Sequence, residues 1–156
     1  TKAIELNPDK TNAYNNRGVV KRKLKDNYGA IVDYTKAIEL NPDNADAYYN
    51  RGNAKDELKD YYGAIADYTK AIELNPDKTN AYNNRGNAKG ELKDYYGAIA
   101  DYTKAIELDP NSAYAYNNRS VSKELIGDLK GACDDAKKAV NLGSTTSTKW
   151  IANNCN

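Results

Sequence analysis

One block of 34 residues is written three times in succession, and this periodicity constrains the fold more than any other feature of the chain. Thr11–Asn44, Ala45–Lys78 and Thr79–Ser112 align without a gap, and the second and third agree at about 27 of 34 positions. A fourth copy, Ala113–Ser144, follows the pattern with more departures. Residues 1–10 match only the last ten positions of a copy. A unit this short cannot bury an apolar face alone, so the copies must stack and share one core.

The second copy shows what each unit is. Ala45 to about Lys59 reads as a helix with Ala47, Tyr48, Ala54 and Leu58 on one stripe. The pattern breaks near Lys59-Asp60. A second helix, from about Tyr62 to Leu74, carries Ala64, Ile65, Tyr68, Ala71, Ile72 and Leu74 at spacings of three and four. Asn75-Pro76-Asp77 stops it, because proline lacks a donor and biases its predecessor away from helix. Links this short force neighbouring helices antiparallel, which predicts an all-α solenoid of stacked helix pairs. Gly52 and Ala64 mark a close approach within the pair, and Ala71 one towards the next copy. Gly18, Ala30 and Ala37, and Gly86, Ala98 and Ala105, stand in the same places.

Composition fits a thin, elongated molecule. Of 156 residues 14 are Tyr, one is Trp and none is Phe, so most large side chains need water or a hydrogen-bond partner for a hydroxyl. The net charge of +1 gives no field that favours nucleic acid or an anionic membrane. No apolar run approaches the length of a membrane span. Histidine is absent, which removes the commonest general base and metal ligand. Cys133 reads as a small buried apolar residue in an isoleucine place and Cys155 as a helix-end residue; two cysteines are too few for a disulfide scaffold.

The motif resembles that of the tetratricopeptide-repeat family over essentially the whole chain. In the second copy the family's aromatic, Leu-Gly, Tyr, Ala, aromatic, Ala and Pro places hold Tyr48, Arg51-Gly52, Lys55, Ala64, Tyr68, Ala71 and Pro76. Arg51 and Lys55 depart from the pattern, and both departures recur in every copy. The resemblance implies a right-handed superhelix whose first helices line a concave groove for an extended peptide or a partner's helix. It divides the chain into four repeats, 11–44, 45–78, 79–112 and a degenerate 113–144. Residues 1–10 are then a second-helix remnant of a preceding repeat, and 145–156 a terminal cap. In the fourth repeat Gly52, Tyr68 and Pro76 have become Ser120, Ala136 and Ser144. Thr145–Cys155 reads as a short helix capped by Ser144 or Thr145, with Trp150 and Ile151 over the end of the stack. At the other end Ala3, Ile4 and Leu6 lack a partner helix, which suggests the C-terminal part of a longer array and a surface prone to self-association.

Arginine occupies the seventh position of every copy (Arg17, Arg51, Arg85, Arg119), and aspartate follows sixteen residues later (Asp33, Asp67, Asp101, Asp135). These positions fall on facing helices of one pair. An arginine among packing positions needs a counter-charge, so a structural Arg–Asp pair is expected; the rival reading places the arginines in the groove as anion binders.

The sixth position is Asn16, Asn50, Asn84 and Asn118. It lies on the side that the family uses for its groove, and a primary amide matches both the C=O and the N–H of a peptide backbone. The four are similar to the asparagine ladder of the O-GlcNAc transferase superhelix, which implies a grip on the main chain of a ligand; the plainer alternative is hydrogen bonding within the array. Beside them stand Asn15, Tyr49, Asn83 and Asn117 at the fifth position, and Asn53 and Asn87 at the ninth, where the outer copies have Val19 and Val121. Positions twelve and thirteen change sign along the stack, from Arg22-Lys23 to Asp56-Glu57, then Gly90-Glu91 and Glu124-Leu125. If these charges are used, the ligand is acidic at one end and basic at the other. The carboxylate clamp of co-chaperone repeats is not reproduced. Asn53 and Asn84 fit its asparagine places, but its basic places hold Tyr49, Tyr114 and Asn118.

No catalytic set, metal site or cofactor motif emerges. Asp134-Asp135 is a carboxylate pair on one helix, but Asp135 is claimed by Arg119, and Gly29, Gly63 and Gly97 are isolated glycines at inter-helix turns rather than phosphate loops. The expected function is a non-enzymatic scaffold that binds a protein or peptide, without nucleic acid or membrane. A targeting array of a larger enzyme and a self-associating structural array are the alternatives. The cytoplasm is favoured over secretion as the compartment.

Overall fold

A computed structural model describes residues 8–155 of the chain. Among the described residues there are nine helices and no strand. These are α1 (Pro8–Lys23), α2 (Asn27–Leu40), α3 (Ala45–Glu57), α4 (Tyr61–Leu74), α5 (Thr79–Glu91), α6 (Tyr95–Leu108), α7 (Ala113–Leu125), α8 (Leu129–Asn141) and α9 (Thr148–Asn154). They fall into two compact units, divided between Ala81 and Tyr82. In the first unit α1 packs on α2, α2 on α3 and α3 on α4. In the second, α6 packs on α7, α7 on α8 and α8 on α9.

Backbone chemistry explains the sharp turn inside each pair. Asp60 N donates to Lys55 O at 2.9 Å and Lys59 N to Asp56 O at 2.8 Å, the two bonds of a Schellman ending. This ending needs a left-handed residue, and Lys59 supplies it at φ 62°, as do Lys25 and Lys93; the fourth copy uses Gly127 at φ 84°. Asp60 then turns from last residue of one helix ending into cap of the next, accepting from Gly63 N at 3.0 Å. Gly63 lies in the first turn of α4 rather than in the loop. A Cβ on it would collide with the Asp60 carboxylate, and Gly29, Gly97 and Gly131 repeat the arrangement.

The buried apolar residues are mostly alanines, which lets the helices approach closely. Ala30, Ala37, Ala47, Ala54, Ala64 and Ala71 are inaccessible in the first unit, and Ala98, Ala105, Ala115, Ala132, Ala136 and Ala139 in the second. The most deeply buried large side chain in each of the first three pairs is the tyrosine at position twenty-four, and it explains the repeat's glycine. A Cβ on Gly52 would lie 2.7 Å from Tyr68 Cε1; Gly18 and Gly86 make the same room for Tyr34 and Tyr102. The fourth copy changes both members together, to Ser120 and Ala136, and Ser120 Oγ donates to Ala132 O at 2.8 Å instead. The tyrosine hydroxyl also sets its neighbour. Tyr68 donates to Asn53 Oδ1 at 2.9 Å and Tyr102 to Asn87 Oδ1 at 2.7 Å. Val19 holds the corresponding place in the first copy, and the buried Tyr34 hydroxyl has no hydrogen-bond partner.

Both ends depart from expectation. The helix α1 starts at Pro8, so residues 8–10 belong to it and not to a preceding helix; proline suits a first helical position, where its missing N–H is not used. The expected remnant and its exposed Ala3, Ile4 and Leu6 lie outside the described residues. At the other end α9 is shorter than Thr145–Cys155, and its cap is Ser147 rather than Ser144 or Thr145. The reading of the two cysteines as free side chains is corrected outright. Cys133 and Cys155 form a disulfide across 22 residues, with an S–S distance of 2.06 Å. Cys133 stands where Ile31, Ile65 and Ile99 stand in the other copies, so its burial in the repeat pattern hid its bonding partner. The bond ties the end of α9 to α8, and Trp150 Nε1 donates to Glu124 Oε1 at 2.8 Å to hold it against α7.

Candidate peptide-binding face

The arginine at position seven is structural in every copy. Arg51 grips Asp67 with two parallel hydrogen bonds, Nε to Oδ2 at 2.9 Å and Nη2 to Oδ1 at 2.7 Å. Arg17–Asp33, Arg85–Asp101 and Arg119–Asp135 repeat this fork at 2.6–2.9 Å. The sequence reading missed a third member. The lysine at position eleven also reaches the aspartate, at 3.0 Å for Lys21, 2.7 Å for Lys55, and 2.8 Å for Lys89 and Lys123. The two departures from the family pattern, Arg for Leu and Lys for Tyr, are therefore one linked change that surrounds a buried carboxylate. Each arginine also lies over the tyrosine three residues before it, as Arg51 does over Tyr48 at 5.5 Å. Stacked and forked in this way, the guanidinium is occupied, and anion binding by these residues is not supported.

Electrostatics follows the geometry. The Arg17 hydrogen bonds hold Asp33 below the ordinary carboxylate range against the opposing effect of its burial, and Lys21 adds to them. The same bonds raise Arg17. Burial is the largest single effect on Arg22 and works against its charge, but the hydrogen bond to Glu57, the Glu57 charge and Tyr34 together keep its pKa raised. Burial pushes the phenols of Tyr34 and Tyr102 upward, so both stay protonated at neutral pH.

With the arginines engaged, the first helices also carry a set of amides, most of them partly buried. In the first unit Asn16 is exposed, and Asn50 Nδ2 donates to Asn15 Oδ1 at 3.1 Å. In the second, Asn118 Nδ2 donates to Asn87 Oδ1 at 3.1 Å, and Asn87 in turn donates to the Tyr114 hydroxyl. The amides of Asn50 and Asn118 are thus met by side chains of the neighbouring first helix and not by backbone. Asn84 is half-buried, and Asn83 is buried with Oδ1 unpartnered. Asn53 accepts from Tyr68, and Tyr49 packs beside the same ring at 6.0 Å with Lys78 Nζ over its own face at 5.0 Å. The sign change along positions twelve and thirteen is largely internal. Arg22 Nη1 meets Glu57 Oε1 at 2.6 Å with both side chains mostly covered. Lys23 is exposed and Asp56 half-buried. No group of three or more metal-ligating side chains occurs among the described residues.

Helix pairs closed by capped three-residue turns, whose first helices carry amides at matching places in every copy, define a helical-repeat binding scaffold. Tetratricopeptide-repeat profiles match residues 45–78, 79–112 and 101–134, and a TPR-repeat profile matches 20–58. The chain belongs to the tetratricopeptide-repeat family, whose domains are in general protein-interaction modules and not enzymes. Among solved structures it is similar to the Arabidopsis OM64 TPR domain, at 32% identity over 74% of this chain and 96% of that one, with a TM-score of 0.73. It is similar to the first TPR of Spaghetti (RPAP3), solved bound to the HSP90 peptide SRMEEVD, at 30% identity over 78% and 96% of the two chains and a TM-score of 0.76. It is also similar to MamA, at 26% identity over 90% and 82%, with a TM-score of 0.83. No curated protein sequence matches it.

Proposed function

We propose that each unit is a scaffold that grips an extended peptide by its main chain along the amide-bearing sides of its own first helices, α1 and α3 in the first unit, and α7 with the α5 residues from Tyr82 onward in the second. One observation carries this reading: Asn50 and Asn118 are satisfied by other amides, which leaves hydrogen-bonding capacity on the same surface. A primary amide has two N–H donors and an acceptor oxygen, and one amide–amide bond uses only part of that. Asn15, Asn16, Asn50 and Asn53 serve the first unit; Asn83, Asn84, Asn87, Asn117 and Asn118 serve the second. A backbone amide of the ligand has the same donor and acceptor and substitutes for water without a charge to desolvate.

The ligand class is set by what is missing as well. The basic places of a carboxylate clamp hold Tyr49, Tyr114 and Asn118, so a peptide ending like that of the Spaghetti complex is not the ligand proposed here. No catalysis, nucleic acid or membrane is assigned to this face, and no helix among the described residues is long and apolar enough to cross a membrane. The Cys133–Cys155 bond supports an oxidising compartment over the cytoplasm, since cytosolic thiols are kept reduced.

A peptide-display selection against the immobilised, oxidised chain tests the reading. Enriched peptides share no charged consensus, and N-methylation of their backbone amides abolishes binding while side-chain truncation weakens it little. A dominant consensus of charged side chains, or a requirement for a free C-terminal carboxylate, contradicts it.

A further inference from the structure

The second unit contains a cavity of about 330 Å³, between the start of α7 and the link from α8 to α9. Ala113, Tyr114 and Asn117 form one wall, and Leu142, Gly143 and Thr146 belong to the other. This volume lies near the lower end of the range for ligand pockets, roughly 300 Å³ upward.

The polar groups at its rim are fixed in orientation. Ser147, only 8% exposed, donates from Oγ to Asn117 Oδ1 at 2.6 Å. The amide oxygen is thereby taken, and Nδ2 has only a long 3.5 Å contact, to Asn118 Oδ1. One N–H of Asn117 remains to donate. The Tyr114 oxygen accepts from Asn87, so its own O–H also remains to donate. Ala113 and Leu142 supply apolar surface, and no charged residue lines the space.

We propose that this cavity is a subsite for one uncharged residue of the bound peptide. An aliphatic side chain lies against Ala113 and Leu142, and the residue's carbonyl oxygen accepts from Asn117 Nδ2 and the Tyr114 hydroxyl. The proposal rests on the peptide-binding reading and gives it a side-chain preference at one point. The disulfide is part of the site. The far wall is the link that runs into α9, and seven residues are too few for a helix to persist on its own. Cys133–Cys155 anchors that helix to α8, so reduction frees the wall and dissolves the subsite.

The test uses isotope-labelled, oxidised chain titrated with N-acetyl-leucine methylamide and followed by amide chemical shifts. N-acetyl-lysine and N-acetyl-aspartate methylamides serve as charged controls. Saturable shifts are expected at the lining residues for the leucine probe alone. Affinity should fall about tenfold or more on reduction and in C155S, and binding should vanish in A113W, whose side chain fills the space. No saturable shift at the lining residues, or an equal response to the charged probes, overturns the subsite. Unchanged affinity in both the reduced protein and C155S overturns its dependence on the disulfide. If selected peptides need the asparagines but the leucine probe leaves the lining residues unmoved, the subsite fails and the peptide-binding reading stands. If the probe binds as described while selected peptides ignore the asparagines, the reverse holds.

Discussion

Replacing Asp67 with alanine isolates the energetics that hold one helix pair closed. Asp67 is 4% exposed and receives three charge-assisted hydrogen bonds, two from Arg51 and one from Lys55. The variant leaves two cations beside a cavity, with side chains 17% and 21% exposed. Removing one partner of a buried pair costs about 3–5 kcal/mol. Here the lower figure, about 3 kcal/mol, is expected, because Lys55 keeps a contact with Gly63 O and Arg51 keeps Thr35 Oγ1 at 3.1 Å and the Tyr48 face. Asp33 provides an internal control: its Arg17 is 59% exposed and can turn to water. Asp33→Ala should therefore cost about 1–2 kcal/mol, nearer to an exposed pair with one buried group lost. Urea denaturation followed by circular dichroism reads both, provided the slope of the transition is unchanged. A triple change of Arg51→Leu, Lys55→Tyr and Asp67→Ala, which restores the family residues at two places, should regain most of the loss, since apolar packing often matches a buried ion pair. A loss below about 0.5 kcal/mol for Asp67→Ala, the size of a surface change, refutes the reasoning. So does equal damage from Asp33→Ala.

Other outcomes follow from the same contacts. Asn53→Val should cost about 1–2 kcal/mol by removing the acceptor that the Tyr68 hydroxyl donates to, and adding Tyr68→Phe should recover most of it; a harmless single variant in a thermal melt contradicts the hydroxyl pairing. Lys59→Gly relieves a left-handed lysine at φ 62° and should stabilise by about 1 kcal/mol, and a lower melting temperature contradicts this. Asp33 lies below its usual pKa of 3.8 in the folded chain, so its contribution is complete above that value and is lost as pH falls through the depressed one. Stability measured from pH 6 downward should drop on the acid side of about pH 4, with a shallower drop in Asp33→Asn; identical acid limbs contradict the linkage.

Repetition made most of the fold legible. Apolar spacing placed both helices of the second copy within about two residues of α3 and α4, the usual accuracy of helix ends. The Arg–Asp forks followed from charge among packing positions. In the sequence Lys55 shows only as a departure, since a lysine gives no periodic signal of the carboxylate it faces. The link between Gly52 and Tyr68 was hidden similarly: small residues imply close approach, but not which ring fills the space. The disulfide was illegible because it occurs once, in a terminal segment with no counterpart among the copies. The asparagines illustrate a subtler limit. Position on the helix told which side they occupy, but whether an amide meets backbone, another amide or a ligand depends on side-chain torsions that no spacing encodes.

The central claim is that these asparagines recognise a peptide main chain. It is tested most directly by the affinity of a selected peptide for the quadruple variant Asn16→Ala, Asn50→Ala, Asn84→Ala and Asn118→Ala, with circular dichroism to confirm the fold. Each lost hydrogen bond is worth about 0.5–1.5 kcal/mol, so four remove about 2–6 kcal/mol and weaken binding at least ~30-fold. A folded quadruple variant that binds as tightly as the parent contradicts the account.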